Sequence, residues 1–171
     1  ESITNIRKLG MSHVPEDRML DGCAPEMSVQ ENLTVSNIDS FANKTGMIQK
    51  SKIKEFCKNQ IVEFNVKTKD ENQSIGSLSG GNIQKVIVAR EFKANSDLLI
   101  LNQPTRGVDV GAISFIHSKI LEMRSDNKAI LLVSADLNEL ISLSDRIIVM
   151  HKGKIAGILS NAPKVTEQEL G

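Results

Sequence analysis

Leu78-Ser79-Gly80-Gly81-Asn82-Ile83-Gln84-Lys85 sets two glycines against the first turn of a helix whose apolar face is Ile83, Val86, Ile87, the stem of Arg90 and Phe92. Unpaired N–H groups and the positive end of the helix dipole converge at such a start. Glycine lets the backbone approach a ligand closely, and the Ser79 hydroxyl adds a donor. A phosphate fits there. Taken alone, Ser-Gly-Gly is also what an ordinary glycine-rich turn before a helix looks like, so the flanking sequence has to decide.

Downstream of the glycines, Leu98 to Leu101 and Ala129 to Val133 are continuous apolar runs of strand length, the pattern of strands buried on both faces. Between them Ala112 to Met123 has apolar residues at helical intervals, long enough to cross over between parallel strands. A helix over Leu137 to Leu143 follows. Arg146 to Met150 and Ile155 to Leu159 then flank a turn at Lys152-Gly153-Lys154, which predicts a hairpin.

Upstream the grammar is mainly helical. Ser2 to Val14 turns from polar to apolar near Leu9 and ends at Pro15, as a strand entering a loop does. Ser28-Val29-Gln30-Glu31 has the spacing of a capping box, so a short helix should start there. Ile48, Ile53, Phe56, Cys57 and Ile61 predict an amphipathic helix over Thr45 to Val62, with Lys50, Lys52, Lys54 and Lys58 on a solvated face. Lys67 to Gln73 is polar and aperiodic, and reads as an exposed loop.

Composition excludes several classes. The 171 residues suit one domain, and 40% apolar with 25% charged residues is ordinary for a soluble protein. No apolar run reaches the ~20 residues of a membrane span. Acidic and basic residues balance at 21 each, and there is no Trp or Tyr, so a nucleic-acid partner is not expected. Cys23 and Cys57 are unpatterned and fit the reducing cytosol. His13, His117 and His151 lack ligand spacing, and no metal site is predicted.

Read in order, Leu78-Ser79-Gly80-Gly81-Asn82, then Leu98 to Leu101 with Asn102-Gln103-Pro104-Thr105, then Gly107-Val108-Asp109, then Val133-Ser134-Ala135-Asp136 resemble the ABC ATPase family. That family shows an LSGGQ-type signature, a strand ending in Asp-Glu-Pro-Thr, a D-loop and a switch histidine. More narrowly, LSGGNxQK, PTRGVDVGA and the early Val14-Pro15-Glu16-Asp17-Arg18 look like the second nucleotide-binding domain of tandem ATPases serving simple-sugar and nucleoside importers. The resemblance spans nearly the whole chain.

The resemblance implies an α/β fold: part of a RecA-like, P-loop NTPase core with an inserted helical subdomain. Residues 1–26 would hold a core strand and the Q-loop region, 27–77 the helical subdomain, and 78–171 the signature helix and remaining core. No G-x-x-x-x-G-K-[ST] occurs, and the family places that phosphate-binding loop before Glu1, so the chain is expected to be a fragment. Asn102 and Gln103 stand where the family has its Walker B aspartate and catalytic glutamate, Ala135 where it has the switch histidine, and Glu16 at the Q-loop position. An amide is a far weaker base than a carboxylate, so this catalytic set should be near-silent.

By the same resemblance, Ser79, Gly80, Gly81 and Asn82 would contact ATP held in trans by another nucleotide-binding domain, with Asp109 at the seam between the two. Asp109 read by itself is equally a helix cap, Arg106 a solvated charge, and Glu16 with Asp17 a pair of carboxylates. The implied cofactors are ATP and Mg²⁺ in the full assembly, none bound tightly by this chain. Implied partners are the other nucleotide-binding domain, permease subunits and, indirectly, a substrate-binding protein or lipoprotein, at the cytoplasmic face of the membrane. The wording around Arg106 and Ile116-His117 leans toward nucleosides. The rival reading is a soluble, non-transport ABC ATPase of the translation or DNA-repair type, which usually keeps the Asp-Glu pair and the histidine.

Overall fold

The computed structural model describes residues 2–160, which fall into two compact units divided between Leu131 and Leu132. The first unit is built on one helix. Helix α4, Gly80–Phe92, buries almost every residue it has, because Ile83, Val86, Ile87, Val88, Ala89 and Phe92 spread the apolar surface around its circumference. A helix apolar on most sides has to sit inside. Each of its larger apolar side chains contributes about 1.5–3 kcal/mol by leaving water.

Around it lie α1 (Ile3–Lys8), β1 (Met11–Val14), a single π-type turn (Arg18–Gly22), α2 (Val29–Thr34), α3 (Lys50–Glu63), β2 (Leu98–Asn102) and α5 (Val110–Ser125). β3, Ala129–Val133, spans the division between the units. The sheet order is β1-β2-β3, and β1 runs parallel to β2 with Met11 opposite Leu98 and Val14 opposite Leu101. In the second unit α6 (Leu137–Leu143) is capped by Asp136, and β4 (Arg146–His151) pairs antiparallel with β5 (Lys154–Ser160). Among the described residues no helix is long and apolar enough to cross a membrane.

The capping box forms as its spacing predicts. The Ser28 hydroxyl accepts from the Glu31 amide at 3.2 Å, and the Glu31 carboxylate accepts from the Ser28 amide at 2.8 Å. The predicted hairpin and the helix over 137–143 are also present.

Four expectations need correction. The N-terminal stretch is a strand only from Met11 onward; before it, Ser2 caps the six-residue α1. Helix α3 starts at Lys50 rather than Thr45, because the Asn43 side chain accepts from the Thr45 and Met47 amides and folds that segment into a turn. The 67–73 loop is not wholly exposed. Its Glu71 and Gln73 carbonyls accept the first amides of α2, and the Glu71 carboxylate is buried against Lys54 at 3.4 Å. Finally, the apolar strands are not covered on both faces: Leu99 and Leu101 are buried while Leu98 and Leu131 are exposed, since α4 covers one face of the sheet and β3 is an edge strand.

Inside this unit sits a charged group with no solvent access. The Glu91 carboxylate accepts from Arg90 Nε at 2.7 Å and Arg7 Nη2 at 3.0 Å, and Arg90 Nη2 donates to the Gly22 carbonyl at 2.8 Å. Removing the carboxylate would leave the Arg90 guanidinium uncompensated, a loss of about 3–5 kcal/mol. The network ties α1, the π-type turn and α4 together.

Candidate functional site

Ser79 is the N-cap of α4, with extended backbone, and is exposed; Gly80 after it is half-buried and Gly81 is buried. Its hydroxyl accepts from Asn82 Nδ2 at 2.8 Å, and Asn82 Oδ1 accepts from the Lys67 amide at 2.8 Å. Asn82 thereby stiffens the tip and docks the 67–73 loop on it. The first helical bonds at this end are those of the Asn82 and Ile83 amides to the Ser79 carbonyl. The Gly80 and Gly81 amides have no partner among the described residues, as expected for the first turn of a helix.

Packing is tight at both glycines, more so at Gly81. A Cβ on Gly81 would stand 2.7 Å from Asp109 Oδ2 and 3.2 Å from Ala112 Cβ, so α4 and the start of α5 interlock there. A Cβ on Gly80 would stand 3.1 Å from Arg18 Nη2. Asp109 is the N-cap of α5 and accepts from the Ala112 amide at 3.0 Å. It is therefore both a cap and a neighbour of the signature tip, and the two readings of this residue are compatible.

Ser79, Gly81, Asn82 and Asp109 line one groove of about 450 Å³, with Lys67 and Lys85 on its wall. Lys85 is itself buried: Nζ donates to the Asn65 carbonyl at 3.1 Å and lies 5.0 Å over the Phe115 ring. The groove thus combines free amides, a hydroxyl and cationic side chains, the donor set a polyphosphate accepts.

Glu16 and Asn102 line a second groove, of about 640 Å³, with Asp17, Arg18, Arg106 and Gly107. Two of its acids, Glu16 and Asp17, are engaged, while Asp21 also lines it. Glu16 pairs with the Arg106 guanidinium, so Arg106 is not a free surface charge. Asp17 accepts from the Met19 and Leu20 amides at 2.9 and 3.0 Å, and these bonds, Leu20 first, hold its carboxyl below the usual carboxylate range. It caps the π-type turn, and the idea of Glu16 and Asp17 as paired acid and base has no geometric support. Asn102 brings an amide to the end of β2, and Gln103 follows in left-handed backbone, φ 51°. The Gln84 amide donates to the Pro104 carbonyl at 2.8 Å in a buried bond that ties this turn to α4. Ala135 lies in the second unit, two residues after β3.

Sequence reasoning missed the role of Arg18. Its guanidinium donates to the Arg106 carbonyl at 2.6 Å and to the Gly107 carbonyl at 3.0 Å. These partners lie 88 and 89 residues away in the chain, and no local pattern pairs them.

The fold recurs in solved ATP-binding cassettes. One is a dimeric cassette in a post-hydrolysis state bound to ADP and Pi, with a TM-score of 0.78 at 21% identity over 92% of this chain and 66% of that one. Another is a nucleotide-free cassette from an ABC transporter, with a TM-score of 0.70 at 22% identity over 94% and 64%. These likenesses establish the α/β, RecA-like cassette fold.

Sequence similarity goes further. The nucleoside import ATP-binding protein NupA of Lactococcus lactis subsp. cremoris is 45% identical over 167 residues, covering 97% of this chain and 33% of NupA. The guanosine import ATP-binding protein NupO of Bacillus subtilis is 42% identical, covering 97% and 32%. The galactose/methyl galactoside import ATP-binding protein MglA of Mannheimia succiniciproducens is 38% identical, covering 99% and 33%. The homologues of this chain are thus import ATP-binding proteins for nucleosides and sugars, and its fold is that of ABC ATPase cassettes. The chain spans about a third of the length of these relatives. No protein-family model matches it.

Proposed function

We propose that this chain forms part of the ATP-binding protein of an importer for nucleosides or simple sugars, and that it closes on ATP bound by another nucleotide-binding domain. The single observation that carries the reading is the start of α4, where exposed Ser79 and buried Gly81, whose amide has no partner among the described residues, line a groove together with Lys67 and Lys85. ATP fits the donors of this groove, the Gly81 amide, the Ser79 hydroxyl and the two lysines, with the Asp109 carboxylate at its edge engaged as a helix cap. The nucleotide supplies the phosphoryl group. The chain's own share is to present donors, fix their direction through Asn82 and exclude water from one side of the groove.

The residues at the end of β2 fit Mg²⁺ and water activation poorly. Asn102 and Gln103 offer amide oxygens and no negative charge. With Ala135 in place of an imidazole, the domain's own catalytic set is silent in this reading, and turnover belongs to its partner domain. The helical stretch 27–77 would pass the closing motion to permease subunits at the cytoplasmic face of the membrane. The relatives named for nucleoside and guanosine import support nucleosides ahead of galactose-type sugars as the solute.

The test is steady-state ATP hydrolysis by the full-length protein with its permease partners. Ser79→Arg, which fills the groove beside Gly81, is expected to lower turnover by about 10² or more, the range seen when a transition-state donor is lost. Turnover within twofold of wild type in a folded Ser79→Arg protein sinks the proposal.

A further inference from the structure

The loop from Pro15 to Arg18 grips the loop from Arg106 to Asp109 twice. Glu16 holds the Arg106 side chain, and Arg18 holds the Arg106 and Gly107 carbonyls through two guanidinium nitrogens. The Nη2 atom that reaches the Gly107 carbonyl also lies 3.1 Å from the Cβ position of Gly80. One planar group therefore touches both the signature tip and the backbone leading to Asp109. The other side of the tip is set by Gly81 against Asp109. The root of Arg18 is fixed in turn, because Asp17 caps the turn that begins at Arg18.

A two-point fork defines an angle as well as a distance, which a single donor cannot do. We infer that Arg18 is a positioning residue: by bridging the carbonyls of Arg106 and Gly107 while packed against Gly80, it sets the register of the α4 tip relative to the Asp109 loop. The inference rests on the function proposed above, since it concerns how well the Gly80 and Gly81 amides are aimed at a nucleotide held elsewhere. Arg18 acts through those groups. It also makes the position of the Glu16 loop an input to the geometry of the tip, because Glu16 and Arg18 leave the same loop.

The effect should fall on turnover rather than on nucleotide affinity, because most of the nucleotide's contacts belong to the other domain, whereas misplacement of aligned groups by about 1 Å can cost up to 10²-fold in rate. In the full-length protein with its permease partners, Arg18→Ala is expected to lower kcat for ATP hydrolysis about 10-fold with KM for ATP changed less than about twofold. Arg18→Lys, which keeps the charge but donates to one carbonyl at a time, should lose about threefold. If Arg18→Ala unfolds early in a thermal melt, the lysine variant carries the comparison. Three results overturn the inference while Ser79→Arg still abolishes turnover: Arg18→Ala within twofold of wild-type kcat, a loss confined to KM, or Arg18→Lys indistinguishable from wild type. Should Ser79→Arg leave turnover intact, the function proposed above fails first and takes this inference with it.

Discussion

The two grooves of the first unit have separate linings and differ in what their polar groups still have to offer. In the groove at the α4 tip, the Gly80 and Gly81 amides are unpartnered and the Ser79 hydroxyl meets Asn82. In the groove at the end of β2, Glu16 is paired with Arg106, Asp17 is consumed as a cap, and Asn102 brings an amide where a carboxylate would do chemistry. Donors without partners lie in the first region, while most polar groups named in the second are engaged, Asp21 apart. A domain that had simply decayed would be expected to loosen both. In the function proposed above, this chain keeps the half of the machinery that serves a neighbour.

The largest effect that can break this comparison lies at Gly81. Gly81→Val places new atoms against Asp109 and Ala112 and should destabilise the chain by about 3 kcal/mol, the upper end for overpacking, read from urea unfolding. Asp109→Ala alone should cost about 1 kcal/mol as a lost cap. Because the two residues touch, the pair should cost less than the sum. Strict additivity would mean that the interlock of α4 with α5 does not hold.

A smaller effect sharpens the reading of the second groove. The Asp17 carboxyl titrates below its ordinary value of 3.8 in the folded chain because backbone amides bond its charged form. Its stabilisation is therefore fully present above that ordinary value and is lost as pH falls through the lower folded value. The gap in urea midpoint between wild type and Asp17→Ala should stay constant at pH values well above 3.8 and close as the pH falls below it. A gap that persists in acid would mean that Asp17 acts through something other than its charge.

The smallest change is expected from restoring the acids. Asn102→Asp with Gln103→Glu should alter turnover of the full-length protein by less than about twofold, because the missing imidazole at Ala135 and the engaged Glu16 remain. A tenfold gain would show that the second groove is intact apart from two side chains.

Local chemistry was the legible part of the sequence. The capping box at Ser28, the glycine-flanked start of α4 and the hairpin turn are decided by residues within four positions of one another, and each forms as read. The order of motifs along the chain was enough to suggest the fold. What escaped depends on distant partners. Arg18 reaches carbonyls just over half the sequence away, Glu16 finds Arg106 at a separation of 90, and Glu91 collects Arg7 across 84 residues. Helix α1 was missed for a different reason: six residues hold under two helical turns, too few to display a period. The half-covered sheet was misread because an unbroken apolar run looks the same whether one face is covered or two.

The interlock at Gly81 also bears on how change at this tip should be interpreted among relatives. A side chain there collides with the protein's own Asp109 and Ala112 whether or not a nucleotide ever visits. Glycine would consequently persist at this position in a descendant that had abandoned transport. Ser79 is under no such internal obligation, since its hydroxyl engages only Asn82 among the described residues. It is the serine, free to drift without harm to the fold, that would record whether a lineage still uses the surface.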